Sequence, residues 1–431
     1  MTQPDFIAPQ YAGSFHCIGS DCEDTCCHGW KVPVDRDAFM RFQNLPAGPL
    51  RTLIEENLEP GPAQEDSPSG KTNSAFAIIR MTAENHCPML SEDRLCRIQS
   101  EYGVEYLPQT CATYPRVMHT ENSVTETALT LSCPEAARLV LLHPNLLGNV
   151  AGSETIPGPL QKCEEPEGDA SLRPWRGAIR NLALTIAANR AYPLWQRLFL
   201  LGVFCRRLDA ILASKAAAYA GEPQPTPAAF LADFEAAVAS GALRNAMQSL
   251  PADDKAQLDA VLQLAGLMLH KSNIGPRFAA CIHAFTTGIG NGPGATLESL
   301  SSAYAAARSQ YFAPFFHRNP HILENLLVNT ILRLRFPFGF EKEPTETDHS
   351  MNRQFALLAA QFALIRGLLI GVSGFHREAF AVEHIVHTVQ SASKHFEHHP
   401  EFLKQVYAWL VEHGLDNARG LTLLLNESVS M

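Results

Sequence analysis

Cysteine is scarce through most of this chain. Eight of its eleven cysteines fall between Cys17 and Cys133, and only Cys163, Cys205 and Cys281 follow. Positive charge is also in the minority, with 34 basic against 44 acidic residues and a net charge of −10. That balance counts against a phosphate-neutralising nucleic-acid binder, whose surface should be basic. It suits a well-solvated protein and is compatible with a basic partner. Met1-Thr2-Gln3-Pro4-Asp5 lacks a basic region leading into an apolar stretch, so no signal peptide is expected. No uninterrupted apolar run reaches bilayer-spanning length, so no membrane association is expected either. Fixed-period repeats, low-complexity tracts and the regular strand–helix alternation of a Rossmann-like methyltransferase are missing as well. The length of 431 residues and 46% hydrophobic content are enough for a large core, so disulfides are not needed to hold the fold. These absences predict a cytoplasmic protein with reduced cysteines.

What is present divides the chain into three parts. Residues 1–148 hold the cysteine-rich region, with short elements broken by turns. Ala75–Arg80 and Ser123–Leu131 read as strands, the second rich in β-branched residues. Gly61-Pro62 and Ser67-Pro68-Ser69-Gly70 mark a flexible excursion. Residues 149–171 read as a linker, because Pro157, Gly158, Pro159, Pro166 and Gly168 alternate with acidic residues. Residues 172–431 read as an α-helical domain, with apolar residues three and four apart in Ala178–Ile186, Phe230–Met247, Ala256–Leu269, Leu297–Tyr311, Ile322–Leu334, Phe355–Ile370 and Phe402–Leu410. Thr226-Pro227 is helix-start chemistry and Gly414 is helix-stop chemistry. The predicted fold class is therefore mainly α: an N-terminal cysteine-rich metal-binding module with a few short strands, then helices.

The thiols carry the chemistry. A thiolate is a soft ligand suited to zinc and iron–sulfur clusters. The candidate metal ligands are Cys17, Cys22, Cys26, Cys27, Cys87, Cys96, Cys111 and Cys133. Cys17-x4-Cys22-x3-Cys26 is close to the runs that wrap a cluster from one loop, and Gly19 and Gly29 allow the backbone to bend there. Cys87-Pro88 and Cys133-Pro134 each stiffen the turn after a cysteine. Structural zinc prefers ligand pairs two to four residues apart. Cys22 and Cys26 fit that habit, the others do not, and adjacent Cys26 and Cys27 suit one small tetrahedral ion poorly. Spacing favours an iron–sulfur cluster over zinc, with buried thiols packing as small hydrophobes as the plain alternative. Cys163, Cys205 and Cys281 read as structural.

The order Cys17-x4-Cys22-x3-Cys26-Cys27-His28-Gly29-Trp30, Cys87-Pro88-Met89-Leu90, Leu95-Cys96-Arg97, Thr110-Cys111-Ala112-Thr113-Tyr114-Pro115-Arg116 and Leu131-Ser132-Cys133-Pro134 resembles the flagellin lysine N-methylase family. Leu323-Glu324-Asn325 and Phe336-Pro337-Phe338 are similar to that family too. A looser likeness, to a small zinc- or iron-chelating family with a CxxCxxCC signature, covers only the cysteine region. The first resemblance implies methyl transfer from S-adenosylmethionine to lysine amines of flagellin, with an iron–sulfur cluster, commonly 4Fe-4S, on N-terminal cysteines. Radical enzymes using that donor hold their cluster on a CxxxCxxC run; here the third position is Gly29. A standard radical site is therefore not supported. A non-enzymatic zinc- or iron-binding interaction module is the alternative reading.

Beside the cysteines, Arg116 could hold a carboxylate through paired hydrogen bonds and Tyr114 could pack against the cluster or help take a proton, with ordinary packing or surface pairing as the plainer reading of both. Glu135 and Trp30 read as surface pairing and a hydrophobic shield. Gly288–Gly294 has the alternating glycines of a cofactor loop, but a helix precedes it, which favours a plain interhelical turn. His376, His384, His387, His395, His398 and His399 form a histidine group in which His384 and His387 share a helix face; solvated helix positions explain it more simply than a metal. No catalytic base is identified.

Overall fold

A computed structural model describes residues 5–7, 10–61, 75–121, 124–147, 170–217, 226–248, 250, 252–269, 274–339, 350–398 and 400–427. The expected linker lies almost wholly outside them, as do Cys163, His399 and the Ser67–Gly70 excursion. The chain divides into two compact units: residues 1–139 with 147–165, and residues 140–146 with 166–431.

The first unit contains two three-stranded sheets. β1 (Asp5–Ile7), β2 (Val32–Val34), β3 (Leu58–Pro60), β4 (Ala77–Ile79), β5 (Arg116–Glu121) and β6 (Val124–Leu129) are each short. One sheet has the order β1-β6-β5, with β1 parallel to β6 and β5 antiparallel to it. The other has the order β2-β4-β3, antiparallel throughout, with Val32 and Leu58 both opposite Ile79. Both strands expected from sequence are found, as β4 and β6. Alternation in β2 and β4 buries Val32, Val34, Ala77 and Ile79 on one face. Helices Arg36–Gln43, Pro49–Glu56 and Arg97–Tyr102 supply Phe42, Leu50, Ile54 and Ile98 to the same core.

The second unit is helical. Its centre is the helix Met351–His376, buried from Met351 to Ser373 except for Asn352. The helices Leu194–Ala217, Asp254–Leu269, Pro276–Gly288, Leu297–Ala307 and Val382–His398 pack on it. By length and composition Met351–Ala379 is apolar enough to cross a membrane, although no uninterrupted apolar run within it reaches that length. Gln354, Gln361 and Arg366 interrupt the run without lowering its mean hydropathy far, and its most apolar window is wholly buried inside the unit. Glycines let one neighbour close in. A Cβ on Gly288 would overlap the Gly371 carbonyl, and one on Gly374 would stand 2.7 Å from the Gly288 carbonyl oxygen.

Local chemistry sets the helix ends. Thr226 caps Pro227–Ala239 by accepting the Ala229 amide at 3.2 Å. The expected Phe230–Met247 helix is two, because Gly241 takes φ +72° between Ala239 and Ala242. The expected Leu297–Tyr311 helix passes at Arg308–Phe312 into a wider π turn. The Asp209 carboxylate accepts the Met351 and Asn352 amides at 3.0 and 2.7 Å, satisfying the start of the central helix.

Candidate functional site

The thiols of the first unit are brought to one region by backbone pairing and helix starts. Cys27 lies opposite Cys87: the Cys87 amide donates to the Cys27 carbonyl at 2.8 Å and the Gly29 amide to the Asn85 carbonyl at 3.1 Å. The His28–His86 bridge sits between these bonds, with imidazole centroids 4.7 Å apart. Gly29 supports this register with φ +92°. A second bridge pairs Leu90 with Cys96, which precedes the helix Arg97–Tyr102. Cys111 lies in Gln109–Thr113 and Cys133 precedes Pro134–Leu141.

Asp35, absent from the sequence expectations, positions one of these thiols. One carboxylate oxygen caps Arg36–Gln43 at Ala38, 2.9 Å away, and the other accepts the Gln109 amide at 2.7 Å. A buried aspartate therefore ties the Cys111 helix to β2's continuation. Its signal in sequence is the N-cap pattern of an aspartate before a helical run; its long-range partner has none.

None of the ten described cysteines is in a disulfide. Cys17 and Cys26 are exposed, Cys87 and Cys133 buried, and Cys22, Cys27, Cys96 and Cys111 half-buried. Cys87 belongs to the apolar core, and Cys27, Cys96 and Cys111 pack against it. Electrostatically Cys22, Cys96, Cys111 and Cys133 share one neighbourhood around Cys26, because negative charge at Cys26 disfavours ionisation of each. Burial is the larger cause of the upward shift in each of those four, and Cys133 reaches about 12. At Cys27 the hydrogen bond from Cys26 favours the thiolate, but the bond to Cys87 and burial outweigh it and push the thiol up to about 12. The shifted thiols are protonated at neutral pH, and a metal would have to displace their protons.

The donor types fit a thiophilic metal; the placement is not that of a preformed site. Among the described residues no group of three or more His, Cys, Asp or Glu side chains stands where it could hold a metal ion.

Tyr114 and Arg116 flank this region. The Tyr114 hydroxyl pairs with the Ser132 hydroxyl at 3.1 Å, and its ring stacks on Trp30 with centroids 6.3 Å apart. Trp30 donates its indole N–H to the Cys26 carbonyl at 2.6 Å, so it braces the double-cysteine turn. Arg116 donates to the Phe15 carbonyl at 2.9 Å and lies 5.1 Å from the Phe15 ring centroid. Glu135 pairs with Arg138, which also reaches Glu23, joining the Cys133 helix to the segment carrying Cys22.

In the helical unit, Glu324 accepts from Arg190 at 2.8 Å and from the buried Arg197 at 2.6 Å. Burial alone would raise the Glu324 pKa; the two guanidiniums overcome it and hold the carboxyl below its usual range. Its neighbour Asn325 donates to the carbonyls of Val140, Leu141 and His143 at 3.0, 3.2 and 2.7 Å. Gly288–Gly294 is an interhelical turn. The imidazoles of His376 and His384 stack at 3.6 Å, while His387 pairs with the Arg277 carbonyl and His395 packs on Phe278. These histidines cap and pack helices.

A family profile described as the FliB lysine N-methylase C-terminal domain matches residues 180–424, more than half of the chain. The chain belongs to this family. It is 24% identical over 421 residues to a protein named lysine-N-methylase from Salmonella typhimurium, covering 94% of each chain, and the same figures hold for a namesake from Salmonella choleraesuis. It is also 33% identical over 148 residues to the flagellar biosynthetic protein FliU of Salmonella muenchen, across 34% of this chain and 80% of that one. No solved structure matches. The matched span contains Glu324, Asn325 and the central helix.

Proposed function

We propose that this protein is a lysine N-methyltransferase that moves a methyl group from S-adenosylmethionine to lysine side chains of flagellin. The observation that carries the reading is similarity to proteins named lysine-N-methylase along 94% of each chain, spanning the thiol-bearing and the helical units together. The named flagellar relative supports flagellin as the substrate class. In the reaction a neutral lysine amine attacks the sulfonium methyl, the new N–C bond forms as the S–C bond breaks, and S-adenosylhomocysteine leaves. The main obstacle is charge: an unperturbed lysine has a pKa of about 10.4 and is protonated at neutral pH. The enzyme must desolvate the amine or supply a base.

The proposed cofactor of the thiol-bearing unit is an iron–sulfur cluster, 4Fe-4S by family resemblance. Its ligands would come from Cys17, Cys22, Cys26, Cys27, Cys87, Cys96, Cys111 and Cys133. The shared neighbourhood of Cys22, Cys96, Cys111 and Cys133 around Cys26 and the lack of disulfides among the described cysteines support this assignment. When bound, the cluster would anchor the donor or hold the unit together. Tyr114 and Arg116, beside the same thiols, are the proposed donor-contacting residues; Trp30 holds Tyr114 and the Cys26 backbone in place.

The deciding experiment incubates anaerobically purified protein with methyl-labelled S-adenosylmethionine and purified flagellin. Label on flagellin lysines, lost when those amines are acetylated beforehand, is the expected result. No incorporation by protein with its full metal content rejects the reading.

A further inference from the structure

Among the described residues no three donors stand ready for a metal, but two thiols stand ready for each other. We propose that Cys27 and Cys87 are a redox-responsive dithiol, the site at which the metal-free protein closes one specific disulfide when challenged by a peroxide.

Three independent observations point to this pair. The first is register. The His28–His86 bridge is antiparallel, so the next facing pair along the same two segments is Cys27 with Cys87. The bond from the Cys87 amide to the Cys27 carbonyl fixes that register at 2.8 Å. Facing residues of an antiparallel pair have Cα atoms about 4.5 to 5.5 Å apart. Disulfides span Cα separations of roughly 4.4 to 6.8 Å, so the backbone need not move far. The second is proximity: the Cys27 side chain lies within hydrogen-bonding reach of Cys87, as it does of its chain neighbour Cys26. The third is surroundings. Cys87 is in the apolar core and Cys27 packs on it, which shields a bond between them from exchange with thiols in solution. Cys26 and Cys27 are chain neighbours, and a ring through adjacent residues is strained.

The chemistry balances with hydrogen peroxide. The Cys27 thiolate, the more accessible of the two, attacks one peroxide oxygen. The O–O bond breaks, hydroxide leaves and takes a proton, and Cys27 becomes a sulfenic acid. The Cys87 sulfur then attacks the Cys27 sulfur, the S–O bond breaks, and a second water departs with the Cys87 proton. Two thiols have lost two electrons and peroxide has gained them.

One consequence rests on the proposed cluster. Closing this bond removes two of the eight candidate ligands, so thiol oxidation would gate cluster loading.

The test uses full-length, reduced, metal-free protein treated with hydrogen peroxide, quenched by alkylation and digested without reductant. The expected product is one dominant cross-linked peptide joining Cys27 to Cys87, two hydrogen masses lighter than its reduced halves and cleaved by a dithiol. A dominant linkage between any other cysteines, or over-oxidation without a disulfide, overturns the proposal. In a Cys87→Ser variant, Cys27 should instead hold a sulfenic acid that dimedone traps; undiminished disulfide in that variant also overturns it. The wild-type map stands whether or not the variant folds. Neither readout involves iron, flagellin or a methyl donor. Iron uptake, compared before and after oxidation, tests the consequence separately: reduced protein that takes up no iron rejects the cluster reading and leaves the bond map untouched.

Discussion

The two units are held by different means. In the helical unit, backbones approach within the reach of a single methyl group, and a buried carboxylate is matched by two guanidiniums. In the thiol-bearing unit the strands span three to six residues, and single long-range bonds such as Asp35 to Gln109 set the geometry. A tightly packed core resists any change of volume. A region fixed by a few polar contacts can rearrange around what it binds. The comparison teaches that stability should be concentrated in the helical unit and chemical responsiveness in the thiol-bearing one.

The sharpest way to break that contrast is at the closest approach in the helices. Gly288→Val would force the helix Pro276–Gly288 away from the central helix, since even a Cβ overlaps the Gly371 carbonyl. The expected loss is more than about 3 kcal/mol in urea unfolding. A near-neutral result would mean that the helices do not pack as described.

Glu324→Ala comes next. It strands Arg197, which is 9% exposed, beside two carbonyls and should cost about 3 kcal/mol. The sign with pH follows from the lowered Glu324 pKa. Its contribution is complete above the ordinary carboxylate range and is lost as pH falls through the lower, folded value. Wild type should therefore lose stability on acidification more steeply than the variant; parallel pH profiles would contradict the ion triad.

In the thiol-bearing unit, Asp35→Ala removes a helix cap and the acceptor for the Gln109 amide, about 2 kcal/mol in all. The more telling readout is alkylation of Cys111, which should quicken as its helix loosens while Cys205 and Cys281 stay protected. Equal rates for all three would show that Asp35 does not set the thiol geometry.

The smallest effect concerns the imidazole stack. Burial, with His384 and His387 adding to it, holds His376 below its usual pKa, and burial does the same for His384 against the pull of Glu383. The stack's contribution is present above about pH 6.5 and fades as pH falls through the folded values. His376→Phe should keep the stacking, change stability by less than about 1 kcal/mol and flatten the profile below pH 6.5. An unchanged slope would assign the acid response to other groups.

Much of this was legible in the residues. Apolar periodicity located the helices Asp254–Leu269, His321–Arg333 and Met351–His376 within a few residues, because a helix buries a face at its own repeat. Thr226-Pro227 announced its cap. β6 was visible in its β-branched run and β4 in its apolar one, but their partners β1, β2, β3 and β5 were not. Strand pairing is a long-range choice, and a three-residue strand such as Val32-Pro33-Val34 carries almost no pattern of its own. The breaks at Gly241 and at the π turn Arg308–Phe312 interrupted helices that periodicity reads through.

By itself the sequence determined that the protein is mainly helical, that its thiols are crowded into the first third, and which kinds of metal such donors suit. Composition and short-range spacing are enough for those conclusions, because propensity and ligand softness belong to the residues themselves. Only the tertiary structure decided that Cys27 faces Cys87, that Asp35 reaches Gln109, and that Glu324 is answered by Arg190 and Arg197. Each of those pairings joins positions distant along the chain, and only the burial of a shared core fixes which distant residues meet.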